Sequence, residues 1–319
     1  MNPRELTWVL VLASGAAASP ELPGRHTDVL DGGAVDALLG RRSLFEMTLA
    51  RARRLVPSER ILVLVDRAQK RQLGGALEEL PSDNVIEQPR DRGSAVDILL
   101  AYLTMLKRDP WARIVALPSY HYVHDERALA STLLDVATPT GQTRNKVTLV
   151  GIHPEEADPE LSYILPGRWF EDGTRSVHGL VNSTDKASAL EMVARGALWD
   201  SSIVAARAVV LVSVMRARMP DLVDQMEMTV AHSDSPDAHA SALAQLYARL
   251  PFVDFSRIVA EGAEPECRVI RSRRCGWSAL GSARRVTAVM RRLQIPCKAG
   301  VAPYGGPDPR RERGVTYDR

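Results

Sequence analysis

Short apolar runs alternate with amphipathic stretches through the first half of the chain. Trp8–Ala13, Ile61–Val65, Arg113–Leu117 and Lys146–Gly151 each read as a buried strand. Between them, Ser43-Leu44-Phe45-Glu46 has the capping-box pattern, in which serine and glutamate each satisfy a free backbone donor. It opens a predicted helix through about Leu55, with Leu44, Met47 and Ala50 on one face. Arg67–Leu80 has a helical composition, Asn84–Glu87 is a short strand before Pro89, and Ser94–Lys107 and Glu126–Val136 are further helices. Apolar strands alternating with helices predict an α/β fold with a mostly parallel sheet covered on both faces.

The rhythm changes after Gly151. Leu161–Leu165 and Ser176–Val181 predict a β-ribbon flanking Pro166-Gly167. A helix is expected over Thr184–Ala197 with Thr184 as its cap, then a short strand or turn at Trp199–Val204. Helices follow at Arg207–Arg218 and Ala238–Leu250, with a loop at Ser233–Asp237. Cys267–Ile270 is the last strand and Ser282–Leu293 the last helix. Residues after Pro296 are rich in Gly, Pro and Arg, so the expected organisation is one domain over 1–296 and a mobile basic tail over 297–319. No internal repeat is present.

Composition narrows the function classes. At 319 residues, 45% hydrophobic and 25% charged, the chain has the make-up of an ordinary soluble globular protein with a large core. The three cysteines, Cys267, Cys275 and Cys297, form no CxxC pair, which argues against a disulfide framework or zinc site and fits a reducing cytoplasm. The apolar stretch near the N-terminus is short and Arg4 is offset by Glu5, so it reads as a first core strand rather than a signal peptide. Nothing is long and apolar enough for a transmembrane helix, and no membrane partner is expected. The net charge of +2 is unevenly spread: Arg268–Arg319 holds 13 basic and 3 acidic residues. Such a segment suits phosphate, nucleic acid or an acidic partner, although a solvated arginine-rich helix explains it more simply. With aromatics at only 5% and Trp277 alone among these arginines before Tyr304, a stacking platform for single strands is disfavoured. There is no G-x-S-x-G elbow and no G-x-G-x-x-G after the first strand, which disfavours a serine hydrolase and a dehydrogenase.

The order of motifs resembles the mannose-1-phosphate guanylyltransferases, within the wider sugar-phosphate nucleotidyltransferase family. The likeness runs from about Trp8 to Met290. Ser43–Arg51 resembles the family's first-helix segment. Glu87-Gln88-Pro89-Arg90-Asp91-Arg92-Gly93-Ser94 is similar to its base-proximal Glu-Pro-x-Gly-Arg-Asn-Thr. Pro118-Ser119-Tyr120-His121 resembles Pro-Ser-Asp-His, and Gly151-Ile152-His153-Pro154, Pro159-Glu160 and Tyr163-Ile164 follow the sugar-site order. Trp199-Asp200-Ser201 resembles Trp-Asn-Ser, Phe252-Val253-Asp254-Phe255 resembles Ser-Ile-Asp-Tyr, and Trp277-Ser278-Ala279-Leu280-Gly281-Ser282 resembles Trp-x-Asp-x-Gly-Ser. The collinear set carries the resemblance. It implies a Rossmann-like three-layer α/β/α mixed sheet of the nucleotide-sugar transferase type.

The departures fall on the chemistry that the resemblance implies. Attack of a sugar phosphate on a nucleoside triphosphate gathers many negative oxygens, so catalysis is mostly positioning and charge neutralisation. The family's glycine-rich loop ends in Gly-Thr-Arg, where this chain has Ala17-Ala18-Ser19. The family's Pro-Lys falls near Gly32-Gly33, and the first lysine in the chain is Lys70. The two Mg²⁺ aspartates read Tyr120 and Ala279. Phe-Val-Glu-Lys-Pro aligns with Leu180-Val181-Asn182-Ser183-Thr184, without its acid or its lysine. Loss of one such cation costs roughly 10³-fold or more in rate.

The expected protein is therefore a catalytically impaired homologue, a pseudoenzyme, with no catalytic residue intact at the family positions Ser19, Tyr120, Ser183 and Ala279. It would bind a nucleotide or nucleotide sugar, a protein partner or a second copy of itself, and regulate or scaffold sugar-nucleotide or polysaccharide synthesis. Candidate nucleotide contacts are Ala13, Ser14, Gly15, Gln88, Pro89, Ser94 and Ser119. Candidate sugar contacts are Gly151, Glu160, Tyr163, Asn182 and Asp200. No cofactor is expected. The alternative is an active sugar-1-phosphate nucleotidyltransferase using Mg²⁺ in a rebuilt site that includes Asp125 or Glu160. A third reading is a nucleic-acid or acidic-partner binder working through the basic C-terminus. His121 and His124 read as solvated or hydrogen-bonded histidines and Trp277 as core. Glu87 and Asp97 are either new acids near the site or helix-end residues.

Overall fold

The first apolar run becomes the middle of a nine-stranded sheet. In the computed structural model, residues 6–13, 43–138, 145–231, 235–260 and 266–294 are described. β1 (Thr7–Leu12) pairs in parallel with β2 (Ile61–Asp66) on one side and β4 (Arg113–Pro118) on the other, and β3 (Val85–Gln88) pairs in parallel with β2. Val9, Leu10 and Val11 have no exposed surface, as an all-apolar strand buried on both faces requires. The order runs β3-β2-β1-β4-β9-β6-β10-β8-β7, with β6 Val147–Ile152, β7 Ser162–Trp169, β8 Arg175–Asn182, β9 Leu198–Arg207 and β10 Cys267–Arg271. β9 pairs with β4 and β6 and, at its start, with β7, so β9, β6, β10, β8 and β7 close on themselves. A separate two-stranded sheet joins β5 (His121–Val123) to β11 (Trp277–Ala279).

Helices cover both faces. α1 (Leu44–Arg53) follows β1, and β2 leads into the short α2 (Arg67–Gln72) and α3 (Gly74–Leu77). Next along the chain come α4 (Ser94–Arg108), α5 (Glu126–Ala137) and α6 (Lys186–Ala194). The remainder are α7 (Ala208–Arg216), α8 (Pro220–Ala231), α9 (Pro236–Arg249), α10 (Phe255–Ala260) and α11 (Ala283–Arg292). One core lies under α4 and α7–α10, and a second lies under α1, α5 and α6. This is the three-layer mixed-sheet architecture expected from the sequence.

Local departures have physical causes. The capping box at Ser43 forms as predicted, but α1 buries Phe45, Thr48, Leu49 and Ala52, leaving Met47 and Ala50 half-exposed. The expected helix over 67–80 is interrupted at Leu73 and resumes only as the four-residue α3, whose first two residues are the poor helix formers Gly74 and Gly75. Pro166-Gly167 is no turn. Both lie within β7 at an irregular pairing with β8, and the chain reverses at Phe170–Thr174, where Gly173 takes φ +77. Asp185, not Thr184, caps α6, because its carboxylate accepts from the Ser188 amide. Trp199–Val204 belongs to a ten-residue central strand rather than a short strand or turn. His121 lies on a strand rather than a loop. α8 and α10 were not expected. Among the described residues no helix is long and apolar enough to cross a membrane.

Candidate functional site

Parallel pairing brings the carboxyl ends of β1–β4 to one edge, the place where open α/β sheets hold ligands. Several candidate contacts are already spent on holding that edge together. The Ala13 amide donates to the Leu64 carbonyl (3.0 Å), and the Ala13 carbonyl accepts from Gln69 Nε2 (2.8 Å). The Ser119 amide donates to the Leu12 carbonyl (3.0 Å). Ser94 Oγ accepts from the Phe255 amide (2.9 Å) and donates to Asp254 Oδ1 (3.3 Å), which ties the start of α4 to the segment before α10. Gln88 is fully buried and meets the Tyr247 hydroxyl at 3.4 Å, while Pro89 beside it is exposed. Ser14, Gly15 and Ser19 lie outside the described residues. At the ends of β2 and β3 a recess of about 600 Å³ is lined by Arg67, Lys70, Arg71 and Glu87, with Lys70 paired to Glu87 at 2.9 Å.

The two positions of the resembled metal pair come together. In the β5–β11 sheet His121 sits opposite Ala279, and the Leu280 amide donates to the Tyr120 carbonyl at 2.9 Å. A half-exposed phenol and a buried methyl therefore occupy adjacent places where the resembled family carries two carboxylates. Mg²⁺ takes hard oxygen ligands, typically one or two carboxylates plus substrate phosphates, and this pair offers no carboxylate. Among the described residues no three His, Cys, Asp or Glu are grouped to hold a metal ion. The described residues at this pair do not fit the ion. Tyr120 is packed edge-on to His121 (ring centroids 4.7 Å), and His121 edge-on to Trp277 (5.1 Å). Burial, with Arg51 and Arg285 nearby, holds the His121 imidazole well below its usual pKa, so it is neutral at pH 7.

Asp254 lies within electrostatic reach of both Asp200 and Asp91. Burial raises the Asp200 carboxyl to about 6 against the Ser202 amide that lowers it, and Asp254 adds a like charge. Burial also raises Asp91, opposed by the Gly93 amide and reinforced by Asp254 and Asp66. Asp200 is presented by a bulge between β9 and β6, where Ser202 adopts φ 55 and donates its amide to Asp200 Oδ1 (2.8 Å). In the sequence Asp254 stands only as part of the Phe252–Phe255 motif, and its proximity to Asp91 and Asp200 has no local signal. A raised carboxyl pKa binds more protons in the folded state, so Asp200 makes stability fall as pH rises from about 4 through about 6. Urea melts across that range should show the slope reduced in Asp200→Asn, with the variant more stable than the parent at pH 7. Equal slopes would show that Asp200 is not the responsible group.

The remaining sugar candidates serve structure where they lie. Gly151 sits under Leu198, and a Cβ there would come within 2.6 Å of the Leu198 Cδ1. Tyr163 is fully buried, donating to the Asp158 carbonyl (3.0 Å) and accepting from the Asp158 amide (2.9 Å) and Trp199 Nε1 (3.2 Å). Asn182 Oδ1 accepts from Ser162 Oγ at 2.6 Å. Ser183 is buried against the start of α6, bonded to the Asp185 carbonyl and Ser188 Oγ at 2.8 Å each. Glu160 is ion-paired to Arg284 (2.9 Å) and accepts from Ser282. Burial raises its pKa, but those hydrogen bonds outweigh it and the net shift is downward. Asp125 caps α5, accepting from the Arg127 and Ala128 amides at 3.0 and 3.1 Å. Glu87 is exposed and Asp97 is buried within α4.

No family model matches the chain. It is 26% identical over 251 residues to alginate biosynthesis protein AlgA of Pseudomonas syringae pv. tomato, a match covering 77% of this chain and 51% of that protein. AlgA of Pseudomonas fluorescens is 24% identical over 252 residues, again covering 77% and 51%. The chain thus spans about half the length of these relatives. Among solved structures, mannose-1-phosphate geranyltransferase of Thermus thermophilus superposes with a TM-score of 0.72 at 25% identity, covering 91% of this chain and 80% of that one. A UDP-glucose pyrophosphorylase complexed with UDP-glucose shares the fold with a TM-score of 0.52 at 10% identity, covering 91% and 98%. A putative mannose-1-phosphate guanylyltransferase of Vibrio cholerae is 22% identical over 199 residues, covering 62% of this chain and 42% of that protein, and the chain has the mixed-sheet α/β fold of the nucleotidyltransferase type.

Proposed function

We propose that this protein binds a nucleotide or nucleotide sugar at the carboxyl edge of its sheet without magnesium-assisted nucleotidyl transfer, and that it regulates or scaffolds sugar-nucleotide or polysaccharide synthesis. The observation that carries this reading is the pairing of Tyr120 with the Ala279–Leu280 strand, which sets a phenol and a methyl on adjacent positions where the resembled family carries two aspartates. The recess beside Arg67 and Arg71 supports retained binding, since it lies at the strand ends where such sheets hold ligands. The relatives named for alginate biosynthesis support a place in polysaccharide production.

The active-enzyme alternative needs a new carboxylate set. Asp125 is engaged as a helix cap and Glu160 in ion pairs, so neither is a ready ligand. The test is a pair of measurements on the full chain. Thermal unfolding with GTP, GDP-mannose or UDP-glucose should show stabilisation by at least one of them, equal with and without Mg²⁺. At about 100 times the dissociation constant that amounts to roughly 2.7 kcal/mol. Diphosphate release from GTP and mannose 1-phosphate should stay at background. Magnesium-dependent release would overturn the proposal in favour of an active transferase, and no stabilisation by any nucleotide would overturn the binding half.

A further inference from the structure

Where β7, β10 and α6 end, a recess of about 220 Å³ opens between them. None of the described nucleotide or sugar candidates lines it. Val193, Leu198 and Val269 give it an apolar floor, with Leu198 and Val269 exposed by 5% and 1%. One wall is Trp169, which is 63% exposed and so leaves a large apolar surface in water. Leu190, 54% exposed, stands three residues before Val193 on α6, so the two are neighbours on the helix surface and the apolar strip runs on beyond the recess.

The rim favours negative charge. Arg175, Arg271 and His153 line it, and none of the described lining residues is acidic. Arg175 is fixed in place. Its guanidinium donates to the Gly167 carbonyl (2.9 Å) and the Pro166 carbonyl (3.0 Å), and lies 5.0 Å from the centre of the Trp169 ring. A cation over the ring face also steadies the indole. Arg271 is exposed, and its guanidinium bonds none of the described residues. Glu171 and Asp172 of the adjoining turn do not line the recess, and Asp172 is bonded to the Thr174 amide at 3.0 Å. An unanswered cation beside an apolar floor complements an apolar group with negative charge next to it.

Size and backbone chemistry narrow the occupant. Whole small-molecule ligands fill roughly 300–1,000 Å³, and this recess is smaller. It suits a single large side chain, the kind of anchor that protein interfaces seat in a pocket. Addition of a strand to the ribbon is disfavoured, because Arg175 already takes the carbonyls of Pro166 and Gly167 at this end of β7.

We propose that this recess is an anchor pocket for a protein partner that presents one bulky apolar side chain flanked by acidic residues. The side chain enters against Leu198 and Val269 beside Trp169, and the flanking carboxylates meet Arg271 and Arg175. Nothing in it depends on nucleotide binding, so the two proposals stand or fall separately.

The test follows the indole N–H signals of the full-length ¹⁵N-labelled chain, with Trp169→Phe identifying the Trp169 signal. The probes are blocked peptides Ser-Glu-Glu-X-Glu-Glu-Ser with X as Phe, Leu, Trp or Ala, the same set with Lys for Glu, and phenylacetate. Saturable movement of the Trp169 signal is expected with at least one acidic peptide carrying Phe, Leu or Trp. The Ala peptide and the Lys peptides should bind at least about tenfold more weakly. Arg271→Glu, a change at an exposed side chain, should weaken the acidic peptide about tenfold and strengthen its Lys counterpart, with thermal unfolding unchanged. No saturable shift with any acidic peptide, equal binding of the Ala peptide, or binding indifferent to Arg271→Glu would overturn the assignment. Phenylacetate binding as tightly as the peptides would make the recess a small-molecule site instead. Movement of the Trp169 signal with protein concentration alone would make its occupant a second copy of this chain, and either result would overturn the proposal.

Discussion

Replacing Tyr120 and Ala279 together by aspartate is expected to create a divalent-metal site at a pair that offers no carboxylate in the parent protein. The β5–β11 pairing already sets the two backbones side by side, with Leu280 bonded to the Tyr120 carbonyl at 2.9 Å. Two carboxylates on that frame, with substrate phosphates, are enough for Mg²⁺ or Mn²⁺. Tyr120 is half-exposed and tolerates a shorter polar side chain. Ala279 is 5% exposed, so Ala279→Asp alone should lower stability by about 1–3 kcal/mol, the cost of burying a polar group with incomplete partners. Metal binding should offset part of that loss in the double variant. Mn²⁺ binding followed by electron paramagnetic resonance, with a nucleotide present, should be saturable in the double variant and at least about tenfold weaker in the parent, as expected where hard carboxylate ligands are missing. Equal binding by the parent would mean that a metal site exists elsewhere in the cleft. That result would contradict the proposed loss of metal-assisted transfer.

The largest single stability effect is expected at Arg51. Its side chain has no exposed surface, yet it carries a full charge, held by a two-pronged contact with Glu126 of α5. Nε meets Oε2 at 3.0 Å and a terminal nitrogen meets Oε1 at 2.7 Å. The pair joins α1 to α5 beside the strand that carries His121. Arg51→Ala leaves the Glu126 carboxylate without its partner and opens a cavity, and should cost about 3–5 kcal/mol by denaturant melts. Arg51→Met with Glu126→Leu removes both charges and keeps volume, and should cost far less or even stabilise. If the double variant is as unstable as Arg51→Ala, the pair is needed for packing geometry rather than for charge matching. The same pair bears on His121, because Arg51 is one of the charges that keep that imidazole neutral.

The elements that the sequence described well are those ruled by local chemistry. The capping box at Ser43 needs only neighbours three residues apart, and it forms as read. The apolar runs at Val9, Val63 and Val115 are buried on both faces of one sheet, so composition alone identifies them. The misreadings share a different cause. Pro166-Gly167 is turn-like by composition, but its place inside β7 depends on pairing with a strand beyond the true turn. Trp199–Val204 looked like a fragment because polar Asp200, Ser201 and Ser202 interrupt it, and those residues form the bulge that carries the strand past Gly151.

The candidate site divides in the same way. The substitutions at Tyr120, Ser183 and Ala279 are legible one by one, because each is an identity at a position in a collinear set of motifs. That alone determined the fold class and the absence of family-type metal ligands at those places. Only the folded chain decided that Tyr120 and Ala279 are neighbours, that Asp254 lies near both Asp91 and Asp200, and that Glu160 is held by Arg284 rather than open to a ligand. Side-chain identity and helix or strand period are properties of residues close in sequence. Charge proximity, burial and the freedom of a donor are set by segments far apart along the chain that meet only when the sheet is complete.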